Sequence, residues 1–452
     1  MSASTSVGPA APNVASSGGG ASADEAPRHT IAFRRRRFAN WFPLGLTYAC
    51  FYMGRYNFNV AKGAIGSAYH YDKAQMGLIA TAGFWTYALS VLLNGPLADR
   101  FGGRRAILFG AVGACALNLA LGTLFFGGAA TSVLVSMSLL YSVNMYFQSF
   151  GALSVVKVNS AWFHVRERGV LGGFFGAMIS MGYMLALGTG GWILANLPLW
   201  CVFVVPAGVI LVMFAVDFFL VRDRPSDAGH ADFETGDEQI GDPTEVLSFG
   251  ERLRRVTAHP VIRILLVAEF CTGLVRQGLL LYFTEFLKEV HGVAPGSTWF
   301  QVASTGITVG GIIGGLACGF ASDYLFQSRR GPVAFIFYCG QVVALVLLGL
   351  AGSPQLAALM IGVSCMWIFG VHGMLSGTAS MDFGGRKAAA TAAGLLDGVQ
   401  YLGSGLVGFG LGALLDRYHW KIWPYAMIPF SIIGALLMLP LWNARPSRAS
   451  AH

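Results

Sequence analysis

Apolar stretches of about twenty residues, the length a helix needs to cross a bilayer, recur along the chain between short polar breaks. They predict helical spans near 41–64, 75–97, 105–126, 132–157, 170–194, 199–221, 262–287, 300–321, 332–351, 355–380, 388–413 and 422–442. A transmembrane β-barrel would instead show short alternating segments. The pattern is that of an all-α membrane protein with twelve transmembrane helices, arranged as six plus six. It divides the chain into a disordered tail at 1–38, a first six-helix half at 39–221, a polar connection at 222–260, a second half at 261–442 and a tail at 443–452. The connection carries Asp223, Asp227, Asp232, Glu234, Asp237, Glu238 and Asp242 and is expected to be flexible.

The second half repeats the first. Gly95 to Asp99 in GPLAD recurs as Gly319 to Asp323 in GFASD, and Gly173 and Gly182 recur as Gly394 and Gly403. At the offset that separates Gly173 from Gly394, two arginines interrupt apolar spans, Arg55 in the first and Arg276 in the seventh. Equivalent charges in two homologous halves point to one shared site for an anion.

Composition agrees with the pattern: 55% of residues are hydrophobic and 12% charged, with a mean hydropathy of +0.59. Soluble enzymes have about a quarter charged residues, so that class is excluded. The net charge of +8 comes from one set of loops, which holds Arg34 to Arg37, Arg100, Arg104, Arg105, Arg166, Arg168, Arg222, Arg224, Arg252, Arg254, Arg255, Arg329, Arg330, Arg386, Lys387, Arg445 and Arg448. The opposite loops hold little beyond Lys73, Lys288, Arg417 and Lys421. Basic residues gather on the cytoplasmic side, so both termini are placed there and nucleic-acid binding is not inferred. All seven cysteines fall in predicted spans without ligand spacing and are read as packed thiols, with no metal site.

A lone arginine within a span costs at least ~2.5–3.5 kcal/mol to insert, so Arg55 and Arg276 are expected to face a watery cavity and a partner. The guanidinium fork matches phosphate oxygens with paired hydrogen bonds. The pair is therefore read as a clamp on a phosphoryl group, one jaw from each half. The competing reading pairs them with buried acids such as Glu269 or Asp397. No GxxxxGK[ST] motif accompanies either half, and no catalytic constellation or cofactor is called for.

The loop GPLADRFGGRR, with Gly95, Asp99, Arg100, Arg104 and Arg105, resembles the signature loop of the major facilitator superfamily, and GFASDYLFQSRRG is its second copy. The resemblance implies the major facilitator fold, with alternating access around a central site. It gives Gly95, Asp99, Arg100, Arg104, Asp323 and Arg386 gating or structural roles through pairs across the cytoplasmic ends. Within that superfamily, YACFYMGRYNFNVA at 48–61, the glycine-rich helix at 167–182, VRQGLLLYFTEFLKEV at 275–290 and GGRKAAATAAGLLDGVQYLG at 384–403 resemble the organophosphate:phosphate antiporter family. That resemblance implies exchange of a sugar phosphate or glycerol-3-phosphate for inorganic phosphate; separately, the termini, which lack an organelle-type presequence, lead to the expectation of a bacterial inner membrane, and a functional monomer is expected. The resemblance adds Tyr48, Tyr52 and Tyr401 as substrate contacts. Where the glycerol-3-phosphate carriers have further basic residues, this chain has Tyr56, Val91 and Ile179. Lys157, Asp397, His372 and Gln148 are the polar residues set to replace them, with Gln400 as a further amide. Two alternatives remain, a membrane-bound phosphosugar sensor with the same core and a proton-coupled drug antiporter.

Overall fold

The computed structural model describes residues 29–126, 133–164, 167–235, 249–327, 329–379 and 389–444, and all regular structure among them is helical. The side chains of a few residues within helices, Asp99 among them, lie outside that description, as does Arg386.

The first half comprises α1 (Ile31–Tyr69), α2 (Lys73–Phe101), α3 (Gly103–Thr123), α4 (Val133–Gln148), α5 (Phe150–Trp162), α6 (Arg168–Tyr183), α7 (Gly190–Asn196) and α8 (Cys201–Leu220). The fourth span is α4 and α5 broken at Ser149, and the fifth is α6 and α7 joined by a π-helical stretch over Met184–Thr189. A short amphipathic helix, α9 (Phe249–Ala258), precedes the second half: α10 (Pro260–His291), α11 (Thr298–Phe320), α12 (Arg330–Gly349), α13 (Pro354–His372), α14 (Ala389–Tyr418) and α15 (Trp423–Met438). Ten of the helical segments are long and apolar enough to cross a membrane. The other two expected spans are α1, made polar by Arg55, Asn57, Asn59 and Lys62, and the broken fourth. Leucine, valine and phenylalanine side chains such as Leu93, Phe109, Leu139, Val212, Leu316 and Val343 are exposed along the helices, as a lipid-facing surface requires.

Two boundaries differ from those expected. The chain is helical from Ile31, so Arg34 to Arg37 lie on α1 and not in a disordered tail. Thr30 caps that helix by accepting the Phe33 amide at 3.2 Å, and Arg37 donates to both Glu167 oxygens at 2.8 and 3.1 Å. Burial disfavours the Glu167 charge, but the Arg37 bonds outweigh it and hold the carboxyl below its usual range. The connection at 222–260 is also not uniformly flexible. Asp223 accepts the Arg104 amide at 2.8 Å, Asp232 accepts the Ser226 amide at 2.9 Å, Phe233 packs edge-on to Phe33, and α9 is helical. Of the seven cysteines six are buried, but Cys339 on α12 is exposed and is no core thiol.

The halves meet along α2 with α14, α1 with α10, and α6–α7 with α11. Contact is dense on the side away from the chain termini. Asp416 of α14 accepts the Lys73 and Ala74 amides at 3.1 and 2.8 Å, capping the start of α2 from across the interface. Further along the same pair, Thr81 donates to the Gly405 carbonyl at 2.6 Å and accepts the Phe409 amide at 2.9 Å. At Gly77 and Gly408 the two backbones touch, so that a Cβ on either would strike the other's carbonyl. Toward the terminus side the contact loosens. A Cβ on Gly398 would still reach the Ala88 carbonyl at 3.5 Å, whereas Gly394 and Gly95 meet open space. On the opposite flank Gly191 abuts Phe300 and Gly311 approaches Ser180, whereas Gly176, Gly315 and Gly319 meet nothing. The described interface is sealed at the far side and parted at the terminus side.

Candidate functional site

Arg55 lies on α1 about where the seal gives way. Its place on the helix sends the guanidinium inward among tyrosines, where it is fully buried. The guanidinium carbon stands 4.8 Å from the Tyr52 ring, 4.7 Å from Tyr87 and 5.8 Å from Tyr48. Those π faces stabilise a cation without neutralising it. One nitrogen donates to the Tyr401 hydroxyl at 3.3 Å and the other to the Gln148 carbonyl at 3.3 Å. The break at Ser149 ends α4 beside that carbonyl.

Arg276, on α10, donates to Gln400 Oε1 at 2.8 Å, and its guanidinium carbon lies 5.3 Å from the Tyr401 ring. Tyr401 therefore touches both arginines, one through its hydroxyl and one through its ring. Arg55 and Arg276 each keep an Nε–H with no partner, and so does the whole side-chain amide of Gln148. No carboxylate lies within ion-pair distance of either guanidinium among the described residues. Glu269 instead faces His372, Oε2 to Nδ1 at 3.3 Å, and Asp397 is half-buried one turn before Tyr401. Asp397 lies within electrostatic range of both arginines and of His372. Two converging cations with unused donors, walled by hydroxyls and amides, have the chemistry to hold a small anion.

The other expected contacts are distributed more widely. Tyr48 and Tyr52 line the Arg55 cage, while Lys157 is exposed on α5, more than two turns beyond Gln148. Of the gating set, Arg104 donates to the Phe218 carbonyl at 2.7 Å and Asp323 pairs with Arg330 at 2.7 Å, both within one half. Arg100 is exposed, and Gly95 meets open space.

Sequence reasoning missed Tyr87 and Tyr183. The Tyr183 hydroxyl donates to that of Tyr56 at 3.3 Å, and Gln277 reaches Tyr56 at 3.5 Å. It also missed a buried ion pair between the halves, Lys62 of α1 with Glu285 of α10 at 2.6 Å, the lysine 3.4 Å from the centre of the Tyr282 ring. Lys62 follows Arg55 by two helical turns, a spacing that would have put both on one face.

The Major Facilitator Superfamily model matches residues 44–408. The chain belongs to that superfamily. It is thus a multi-pass membrane transporter by family and not an enzyme. The membrane sensor protein UhpC of Salmonella typhimurium is 29% identical over 422 residues, covering 89% of this chain and 91% of that protein. A probable hexose phosphate transport protein of Chlamydia trachomatis is 26% identical over 446 residues, covering 93% of each. These relatives are of the organophosphate:phosphate antiporter group that the motifs resemble. Among solved structures, a bacterial homologue of the human lysosomal transporter Spinster, inward-facing and unoccupied, superposes with a TM-score of 0.71 at 16% identity, over 91% of this chain and 98% of that one. That likeness concerns the fold.

Proposed function

We propose that this superfamily member carries a phosphate ester, of sugar phosphate or glycerol-3-phosphate type, across a bacterial inner membrane in exchange for inorganic phosphate. The observation that carries the reading is the convergence of Arg55 and Arg276 on Tyr401 with no carboxylate in ion-pair contact among the described residues. With both termini cytoplasmic, the sealed face is external and the site opens inward. The empty cavity resists reorientation because the two guanidiniums approach each other uncompensated; a bound phosphoryl group removes that repulsion. Such a carrier exchanges anions and leaks little. The absence of further basic residues at Tyr56, Val91 and Ile179, together with half-buried Asp397, favours a polyhydroxylated sugar phosphate over glycerol-3-phosphate, because carboxylates accept hydroxyl hydrogens.

The test is uptake of radiolabelled phosphate into phosphate-loaded and empty proteoliposomes, with sugar phosphates and glycerol-3-phosphate as competitors. Exchange is expected only with internal phosphate. Arg55→Lys and Arg276→Lys are each expected to weaken it about 10- to 100-fold, the value of ~1.5–3 kcal/mol for a charged hydrogen bond. Exchange surviving both substitutions overturns the clamp. The likeness to UhpC sustains a second reading, a sensor that binds the ester without carrying it. Binding of sugar phosphates without exchange would select that reading.

A further inference from the structure

Besides the arginines, the second half holds a buried pair that the clamp does not use. Glu269, on α10 two turns before Arg276, is fully buried; its Oε2 faces His372 Nδ1 at 3.3 Å, and its Oε1 has no hydrogen-bond partner. His372 ends α13, where a π-helical stretch over Gly373–Ala379 takes over, and its side chain stays 17% exposed. The carboxylate is sequestered, and the imidazole is the member of the pair that solvent reaches.

The surroundings are all accounted for. Arg276 acts on Glu269 from its own helix, and Asp397 of α14 lies within electrostatic range of His372 and Glu269. Gln400 and Tyr401 of α14 hold Arg276, and Arg55 of α1 lies beyond Tyr401. Tyr338 of α12 is committed to the Ala268 carbonyl at 3.1 Å and to Thr272 at 2.7 Å. The Ser376 amide faces Glu269 from the π stretch. The remaining neighbours, α11 against α13 and α15 against α10, carry no acid, lysine, arginine or histidine.

We propose that Glu269 and His372 form a proton site loaded when the anion binds. The carboxylate holds His372 with Nδ1–H toward Oε2, which leaves Nε2 as the proton acceptor. In the empty protein Glu269 and Asp397 lie within electrostatic range of Arg276, and neither forms an ion pair with it among the described residues. A phosphate dianion entering between the arginines repels Glu269 and Asp397, and a proton moving from water to His372 Nε2 relieves that repulsion. The resulting imidazolium is paired to Glu269 on one side and presents an N–H on the other. By linkage, anion binding takes up a proton, and protonation tightens anion binding by the same factor. Loading this site with each anion would make the exchange cycle sensitive to pH. The inference rests on phosphate binding at the arginine pair.

The test is calorimetric titration of the purified full chain with inorganic phosphate near pH 8, where phosphate is mostly the dianion, in two buffers of different ionisation enthalpy. Wild type is expected to take up about 0.5–1 proton per phosphate. His372→Gln and Glu269→Gln are each expected to bind phosphate with that uptake lost. Uptake equal to wild type in both variants, or lost only in Asp397→Asn, overturns the proposal. Should either variant misfold, wild type decides: phosphate binding with no proton uptake overturns the dyad and leaves the clamp standing. No phosphate binding at all overturns the phosphate reading itself.

Discussion

Lys62 and Glu285 show what a single buried pair does at the interface between the halves. The lysine is fully buried and the glutamate side chain is 8% exposed, so neither ion keeps its hydration. Each is tolerable only because the other is 2.6 Å away, with the Tyr282 ring above the ammonium. Lys62→Met alone strands a buried carboxylate and is expected to lower stability by about 3–5 kcal/mol, whereas Lys62→Met with Glu285→Leu replaces the pair by apolar volume and recovers most of the loss. Thermal melts of wild type, both single variants and the double in one detergent give the cycle. Strictly additive losses would mean that the pair is not an interaction of the native state. Arg55 and Arg276 were legible in the sequence because charges inside apolar runs are rare and these two sit one repeat apart. The Lys62–Glu285 pair was not legible because it breaks the repeat: one offset on from Lys62 is Phe283, and one offset back from Glu285 is Ala64. Tyr87 and Tyr183 were missed for another reason. Tyrosine is ordinary in a membrane helix, and only closure of the cage around Arg55 and Tyr56 distinguishes these two.

At the scale of helices, ten of the twelve expected spans are apolar over the length a bilayer requires, which made them readable, while the breaks within spans were not. Ser149, the π-helical stretches over Met184–Thr189, Ala321–Leu325 and Gly373–Ala379, and the start of α1 at Ile31 depend on local hydrogen bonds that hydropathy does not report. The four glycines Gly310, Gly311, Gly314 and Gly315 of α11 do not share one packing surface. Gly310 and Gly314 press on the backbone of α13 within the same half, Gly311 approaches Ser180 of the other half, and Gly315 meets open space. The movable contact is therefore elsewhere, along α2 and α14, where Gly77 and Gly408 let two backbones touch. Gly408→Leu adds a side chain aimed at the Gly77 carbonyl and at Thr81. Overpacking of that kind costs about 1–3 kcal/mol. The cost falls on the sealed arrangement, because helices that part there relieve it. The variant is expected to retain its fold but bias the protein toward opening on the far side. Labelling of a cysteine placed at Thr81 should then rise several-fold over wild type from that side. Unchanged labelling would show that α2 and α14 accommodate the side chain without parting.

For the whole molecule, the graded contact along the interface identifies one end of a cycle. Hydrogen bonds join the halves from Asp416 and Lys73 down to Trp85 and Leu402, and Asn59 on α1 is bonded to Leu280 and Thr284 on α10. The arginine pair lies where those bonds give out, so under the proposed function an anion would reach it from the terminus side. Carriage across the membrane requires these bonds to break as a group while contacts form at the other end. The signature loops there are already held within their own halves by Arg104 to Asp223 and Asp323 to Arg330. A covalent tie across the seal should therefore stop transport without disturbing the site. The α2 amide of Lys73 lies 3.1 Å from the Asp416 carboxylate, so these two positions adjoin across the seal and are the pair to tie through cysteines. Lys73→Cys with Asp416→Cys, with the native cysteines replaced, is expected to exchange phosphate when reduced and to lose nearly all exchange when oxidised. Phosphate binding from the terminus side should persist in both states, and reductant should restore exchange. Each single variant controls for the lost Lys73–Glu289 pair and for the lost cap on α2. Full exchange in the cross-linked protein would mean that the far side need not open here, and the rocking of the two halves about the arginine pair would have to be abandoned.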